Sequence, residues 1–277
     1  MNTSPESVSS MEIRMIDLDG QFVRVGIRHG SDAFAPLLVF NGIGANLELV
    51  EPFVEALDDV SVVIFDIPGV GGSPLPLAPY RFSTLCVLAD KLLRRLGYDG
   101  AVDVLGVSWG GALAQQFARQ YPVRCRRLIL AATSPGVLMV PARLSVLSKL
   151  IGPRRYTDPA YLQEVGPEIY GGAYRRDPDL LKEHGRHIQP PRGRGYLYQL
   201  MAAWGWTSLH WLCTLRQPTL VMHGNDDPIV PLSNARILAA RIPAAELYVI
   251  DDGHLFLITR AKEVAPVVRE FLRREGS

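Results

Sequence analysis

Val102-Asp103-Val104-Leu105-Gly106-Val107-Ser108-Trp109-Gly110-Gly111 is the stretch whose reading decides the fold. Val102 to Leu105 is a short strand, and from Gly111 to Ala118 the chain reads as a helix, with Leu113, Gln116 and Phe117 at helical spacing. Gly106-Val107-Ser108-Trp109-Gly110 joins the two directly. A serine at so tight a turn is held in a strained conformation, and glycines two before and two after it keep strand and helix from colliding. The helix that follows points its positive N-terminal end at the serine. In that setting Ser108 is a candidate nucleophile. On an ordinary strand-helix loop the same pattern would be only a turn.

Outward from this stretch the same rhythm repeats. Ile13 to Leu18 and Phe22 to Ile27 are two β-rich runs joined at Asp19-Gly20, a hairpin signal. Leu37 to Phe40 and Ser61 to Phe65 are strands, separated by a helical stretch from Leu47 to Leu57. A helix from Thr84 to Leu96 leads to the opening stretch, and Leu128 to Ala132 is the next strand. Late in the chain come a strand at Thr219 to Met222, a helix near Asn234 to Arg241, a strand at Leu247 to Ile250 and a helix from Ala261 to Arg274. Continuous apolar strands alternating with amphipathic helices indicate an α/β fold, a mostly parallel sheet of about eight strands covered on both faces.

One stretch breaks the rhythm. Residues 136–216 show helix-length patterns, many prolines and glycines and clustered aromatics, but no clear strand. They read as a cap inserted between the sixth and seventh strands, leaving 11–135 and 217–277 as the core and 1–10 as a polar tail. This cap carries a net charge of +5 and the remainder −4. A basic cap favours an anionic product or surface, unless the charges simply solvate its helices.

Whole-chain properties exclude several classes. A formal net charge of +1 over 277 residues argues against a nucleic-acid binder. Cys86, Cys125 and Cys213 are odd in number and widely spaced, which fits reduced thiols better than disulfides or a zinc site. The longest apolar runs are strand-sized, so no transmembrane segment is expected. The N-terminus lacks the basic and apolar regions of a signal peptide, so the expectation is a protein made and used in the cytoplasm.

A serine hydroxyl needs a base to take its proton and a carboxylate to orient that base. Of six histidines, His254 follows the last strand directly and opens onto the same sheet edge as Ser108. His29, His184, His187 and His210 lack that placement, and His223 ends the seventh strand beside the acid loop. In His223-Gly224-Asn225-Asp226-Asp227-Pro228 the better acid is Asp227, with Asp226 its rival, while Asp251 and Asp252 read as turn residues. Ser108, Asp227, His254 is the chain order of the α/β-hydrolases. The backbone N–H of Trp109 and that of Ile43, in the loop Asn41 to Asn46, are the expected oxyanion donors. Phe65 to Ser73 is glycine-rich but lacks the pattern of a phosphate cradle, and Asp66 is expected to hold its turn. The mechanism requires no metal or organic cofactor.

With these residues placed, the chain resembles the intracellular poly(3-hydroxyalkanoate) depolymerases of pseudomonads. The likeness runs from about Ile13 to Leu272. It includes FNGIGANLELV (Phe40 to Val50), GVSWGGALAQQFA (Gly106 to Ala118) and DDGHLFLITRA (Asp251 to Ala261). It extends to the cap segments Pro153-Arg154-Arg155-Tyr156, Ile169-Tyr170-Gly171-Gly172, Arg175-Arg176-Asp177-Pro178 and Gly205-Trp206-Thr207-Ser208 with His210-Trp211-Leu212. Asn41-Gly42 replaces the His-Gly of most α/β-hydrolases and agrees with this subgroup. The resemblance maps its triad onto Ser108, Asp227 and His254, and implies cleavage of medium-chain-length storage polyester at the surface of cytoplasmic granules. The granule surface, and possible granule-associated proteins, are the implied partners. Such a polymer has pendant alkyl chains and demands an apolar site, for which Trp204, Trp206, Trp211, Leu197, Tyr198 and Met201 are the candidates unless they only pack the cap. Rival readings are a small-molecule carboxylesterase, thioesterase or carbon–carbon hydrolase with the same triad, and a non-catalytic granule-binding protein.

Overall fold

Asp19 and Gly20 both take positive φ, 58° and 89°, the backbone of a two-residue hairpin turn whose twist matches its strands. The Gly20 N–H donates to Asp17 Oδ1 (2.7 Å) and fixes the turn. In this computed structural model, which describes residues 11–274 apart from 32, 151 and 192, that hairpin begins the sheet. The expected tail, 1–10, lies outside the described residues.

The strands are β1 (Glu12–Leu18), β2 (Gln21–Arg28), β3 (Leu37–Phe40), β4 (Val62–Phe65), β5 (Val102–Val107), β6 (Cys125–Ala131), β7 (Thr219–Gly224) and β8 (Ala245–Ile250). They lie in the order β1-β2-β4-β3-β5-β6-β7-β8. β2 pairs antiparallel with β1 and β4, and the pairs from β4 through β8 are parallel. The expected eight-stranded, mostly parallel sheet is borne out. β3 through β7 are almost wholly buried because helices cover both faces.

Alternation along the strands divides the core. Leu38, Phe40, Val104 and Leu130 face α2 (Phe82–Arg95) and α3 (Trp109–Gln120), where Leu92, Leu113 and Phe117 meet them. Leu37, Val39, Leu105 and Met222 face the other way, where Phe53 of α1 (Glu51–Ala56) and Val264, Val268 and Phe271 near the C-terminus pack. Each such side chain stabilises the fold by about 1.5–3 kcal/mol relative to exposure. The helix expected over Leu47 to Leu57 is instead a tight turn at Leu47–Val50 followed by α1. Pro52 explains the break, since a residue without an N–H fits the start of a helix and not its interior.

Between β6 and β7 the described residues contain helices and no strand: α4 (Leu144–Leu150), α5 (Arg154–Thr157), α6 (Pro159–Tyr170), α7 (Gly172–Arg176), α8 (Leu180–Arg186) and α9 (Gly195–Ala203). The stretch read from the sequence as a cap falls here. Leu162, Val165, Ile169 and Leu181 give this insertion an apolar cluster of its own. At its base Gly136 and Thr207 bridge in antiparallel fashion. After β7 come α10 (Leu232–Arg241), α11 (Phe256–Thr259) and α12 (Ala261–Arg273).

β3 lies between β4 and β5, so the connections after β3 and β5 leave the sheet in opposite directions. The crevice at the carboxyl ends of two such strands is where parallel sheets bind their ligands.

Candidate active site

β5 runs two residues past the apolar stretch visible in the sequence, to Val107, and Ser108 follows it with φ 54° and ψ −116°. A non-glycine residue in such a region costs about 1–3 kcal/mol and persists only where its surroundings fix it. Here the Ser108 N–H donates to the Ala131 carbonyl (2.8 Å). The Ser108 carbonyl accepts from Thr133 Oγ1 (2.6 Å) and from the Gly111 N–H (2.9 Å). The flanking glycines are sterically required. A Cβ on Gly106 would stand 2.3 Å from the Gly110 carbonyl oxygen, and one on Gly110 would stand 2.2 Å from that of Phe40. Since backbone is what each would strike, neither clash is relieved by moving a side chain.

The loop after β7 and the loop after β8 bring the expected acid and base together. His254 Nδ1 lies 2.7 Å from Asp227 Oδ2. Asp227 Oδ1 accepts the N–H groups of Ile229 and Val230, both at 2.9 Å, so the carboxylate is aimed by its own loop. Both residues are buried. His223 stands beneath them with Nε2 2.7 Å from the Val230 carbonyl and 3.4 Å from Asp227 Oδ2. Burial lowers the His223 pKa more than the Asp227 charge raises it, which keeps the ring neutral.

Asp226, the rival acid, points elsewhere. Its carboxylate accepts from Arg175 (2.6 and 2.7 Å) and from the Gly172 N–H (2.8 Å), and ties α7 to this loop. Asp252 lies in the bend after β8 and does more than turn the chain. It is buried, accepting from the N–H groups of Gly253 (2.8 Å) and Ala173 (2.5 Å) and from Thr259 Oγ1 (2.5 Å), because α7 packs on the His254 loop.

The loop after β3 is fixed from three sides. Asn41 Nδ2 donates to the Asn46 carbonyl (2.9 Å) while its Oδ1 accepts the Gly42 N–H (2.9 Å). Asp66 accepts the N–H groups of Leu47 (2.8 Å) and Gly72 (2.7 Å), so it holds this loop as well as its own turn. The insertion supplies the third side. The Tyr156 hydroxyl donates to the Ile43 carbonyl, and the Gly44 N–H donates to Gln199 Oε1 (2.7 Å). Trp109 is tied to α9 too, its indole N–H donating to the Gln199 carbonyl (2.9 Å). As the first residue of α3, Trp109 has no intrahelical acceptor for its backbone N–H.

Two apolar clefts meet at Ser108. One, of about 250 Å³, also holds His254, Ile43, Tyr156, Tyr196, His184 and Arg155. The other, of about 360 Å³, runs past Trp109, Met139, Leu147 and Trp206. Leu150 and Ile229 border both. Of the six aromatic and aliphatic residues expected to contact substrate, Trp206 lines a cleft that reaches Ser108. Trp211 and Tyr198 are buried in the core, Trp211 under Arg119 and Tyr198 against Tyr80. Leu197, Met201 and Trp204 face outward on and just beyond α9, Trp204 being 89% exposed. Their spacing places them on the helix face turned away from the site. Sequence reasoning passed over Gln199, set His184 aside, and quoted Arg155 and Tyr156 only within the resemblance, since no local pattern marked the burial of Arg155.

A model of the α/β hydrolase fold matches residues 35–261. The chain belongs to the α/β-hydrolase family. Among α/β-hydrolases it is 55% identical to a curated poly(3-hydroxyalkanoate) depolymerase of Ectopseudomonas oleovorans, over 95% of this chain and 93% of that one. The resemblance to poly(3-hydroxyalkanoate) depolymerases is borne out by that match. A pimeloyl-[acyl-carrier protein] methyl ester esterase of Aromatoleum aromaticum is 30% identical over 75% of this chain and 85% of its own. Among solved α/β-hydrolase structures, a hydrolase from Pseudomonas aeruginosa superposes with a TM-score of 0.78 at 23% identity, covering 95% of this chain and 98% of that one. That likeness speaks to the fold. Among the described residues no helix is long and apolar enough to cross a membrane, and no group of His, Cys, Asp and Glu is placed to hold a metal ion.

Proposed function

We propose that this α/β-hydrolase cleaves the ester bonds of medium-chain-length poly(3-hydroxyalkanoate) through an acyl-enzyme on Ser108. The observation that carries the reading is the meeting of two apolar clefts at a strained serine, opposite a buried His254–Asp227 pair. A polyester has alkyl-bearing chain on both sides of each ester, so it needs an apolar channel on both sides of the nucleophile. The 55% identity to a protein named poly(3-hydroxyalkanoate) depolymerase supports a polyester of that class.

In this mechanism Ser108 Oγ attacks the ester carbonyl as His254 Nε2 takes its proton. Asp227 holds Nδ1 as the donor and stabilises the imidazolium. The N–H groups of Trp109 and Ile43 receive the oxyanion. His254 then protonates the departing alkoxide, and water attacks the acyl-enzyme with His254 again as base. The products are 3-hydroxy fatty acids or their oligomers. Leu197, Met201 and Trp204 recur at helical spacing with exposed side chains, and we assign that outer stripe to docking on the granule surface in the cytoplasm.

Clearing of a turbid poly(3-hydroxyoctanoate) suspension tests the proposal. The expected result is clearing by the native protein and none by Ser108→Ala, with a loss of roughly 10⁴-fold or more in kcat on soluble esters. Cleavage of p-nitrophenyl esters without any clearing would reassign the protein to small-molecule esters.

A further inference from the structure

The insertion carries eleven Lys and Arg residues, and most of those on its surface have an acidic partner. Arg154 pairs with Asp158, Arg175 with Asp226, Lys182 with Asp179 and Arg186 with Glu183. Arg155 is different. It is 5% exposed, it borders the cleft that holds Ser108 and His254, and among the described residues no carboxylate pairs with it. Its Nη1 donates to the Leu150 carbonyl (3.1 Å) and the Tyr196 hydroxyl (3.3 Å), and its Nη2 donates to the Tyr156 hydroxyl (3.2 Å). The Tyr156 and Tyr196 rings also lie against the guanidinium, with centroids 4.5 and 5.7 Å from it.

These are neutral partners for a group that stays charged at any working pH. A guanidinium has five N–H donors in a planar fork, and neutral acceptors, with the Tyr170 hydroxyl also close to it, leave all of the charge unmatched. Taking an unpaired cation out of water costs several kcal/mol, and the group that best recovers that cost is a carboxylate bound by the fork. The charge also stands close to the chemistry. Tyr156, which accepts from Arg155, donates in turn to the carbonyl of Ile43, so the guanidinium lies two hydrogen bonds from the loop that borders Ser108.

We infer that Arg155 is the receptor for a carboxylate on the substrate, the free acid end of a 3-hydroxyalkanoate chain. This rests on the polyester reading above and deepens it. In the last ester of such a chain the leaving hydroxy acid bears its carboxylate one methylene beyond the carbon that holds the ester oxygen. A cation on the wall of the cleft would therefore select the terminal ester, and hydrolysis would proceed inward from the carboxyl end. The Tyr156 and Tyr196 rings and hydroxyls hold the fork in place, and the apolar wall accepts the pendant alkyl chain.

Two soluble substrates test this: the 3-hydroxyoctanoate dimer with a free carboxylate and the same dimer as its primary amide. The native protein should prefer the free acid in kcat/KM by about tenfold or more, the discrimination expected of one charge-assisted pair. Arg155→Gln should bring the ratio towards one, and Arg155→Lys should restore part of it, which a merely structural arginine would not do. Should Arg155→Gln fail to fold, inhibition of the native protein decides. 3-Hydroxyoctanoate should compete at concentrations about tenfold lower than its primary amide does. Inhibition by the acid without a dimer preference would assign the site to released product rather than the chain end. Equal rates on the two dimers together with equal inhibition would overturn the inference. Clearing of polymer by a protein with no preference would sink Arg155's role and leave the proposed function standing. A free-acid preference without clearing would do the reverse.

Discussion

The wall of the catalytic cleft built by the sheet and the wall built by the helical insertion differ in what fixes their residues. On the sheet side, Ser108, Asp227 and His254 each follow a strand end, and backbone hydrogen bonds hold each in place. β5, β7 and β8 set where they lie, and the insertion adds one bond, from the His254 N–H to the Tyr170 carbonyl (2.8 Å). On the insertion side, Arg155, Tyr156, His184 and Gln199 sit on short helices whose register depends on packing against the sheet loops. The first wall is rigid and polar at a few points. The second is apolar, aromatic and basic. Reaction chemistry is therefore expected to depend on the first wall, and substrate choice and response to conditions on the second.

The largest expected effect breaks the sheet wall. Asp227→Asn keeps the shape of the side chain but no longer holds Nδ1 of His254 as the donor. The loss in kcat should be on the order of 10⁴-fold with the fold intact, measured on a soluble ester. A loss below tenfold would mean that His254 is oriented by something else.

The next effect belongs to the insertion wall. His184 packs against Tyr170 and Tyr174 with ring centroids 6.0 and 5.6 Å away. Burial pushes its pKa down to about 4, with His187 nearby adding to the shift. An unfolded histidine titrates near 6.5, so between pH 6.5 and 4 the unfolded chain binds the extra proton and the folded one does not. The stabilisation from keeping His184 neutral is complete above about pH 6.5 and is lost as pH falls towards 4, to the extent of about 3 kcal/mol. Thermal melts from pH 7 to 4.5 should show the native protein losing stability more steeply than His184→Leu. Parallel curves would place the acid sensitivity elsewhere.

The same contrast explains what the sequence made legible. Strands that lie centrally in the sheet are continuous apolar runs, and the site residues of the sheet wall follow them at once, so Ser108, Asp227 and His254 could be placed from order alone. Strand starts were harder to read. β6 begins at Cys125, before Arg126 and Arg127 break the apolar run, because Arg126 pairs with Asp103 on the neighbouring strand (3.0 Å). β8 is an edge strand in which Glu246, Leu247 and Val249 are exposed, so Ala245 and Glu246 do not announce it. The insertion was legible as helical and little more. Arg155 in an Arg-Arg-Tyr run reads as solvated, and only tertiary packing buries it. On α9 the residues expected in the pocket, Leu197 and Met201, point outward, and Tyr196 and Leu200 line the cleft instead.

That outward stripe sets a third, smaller effect. Trp204→Ala removes a side chain that, once seated on an apolar granule, contributes on the order of 1.5–3 kcal/mol. Adsorption to poly(3-hydroxyoctanoate) particles and clearing of them should fall by about tenfold, while hydrolysis of a soluble ester stays as it was. An equal fall in both would return Trp204 to the site and remove the docking stripe from the proposal.

The smallest effect falls where the two walls touch. Asp226 and Asp227 are adjacent in sequence, yet Asp227 turns inward to His254 and Asp226 turns out to Arg175 and the Gly172 N–H. Asp226→Asn keeps an acceptor for Gly172 and gives up a partly exposed ion pair, which carries little free energy because water screens it. Activity on a soluble ester should change by no more than about threefold. The variant separates two accounts of the acid loop. If the loop positions Asp227 by its own backbone bonds from Ile229 and Val230, the pair with Arg175 is expendable. If Asp226→Asn costs as much as Asp227→Asn, the insertion itself aims the acid, and the division between a catalytic wall and a selective one fails.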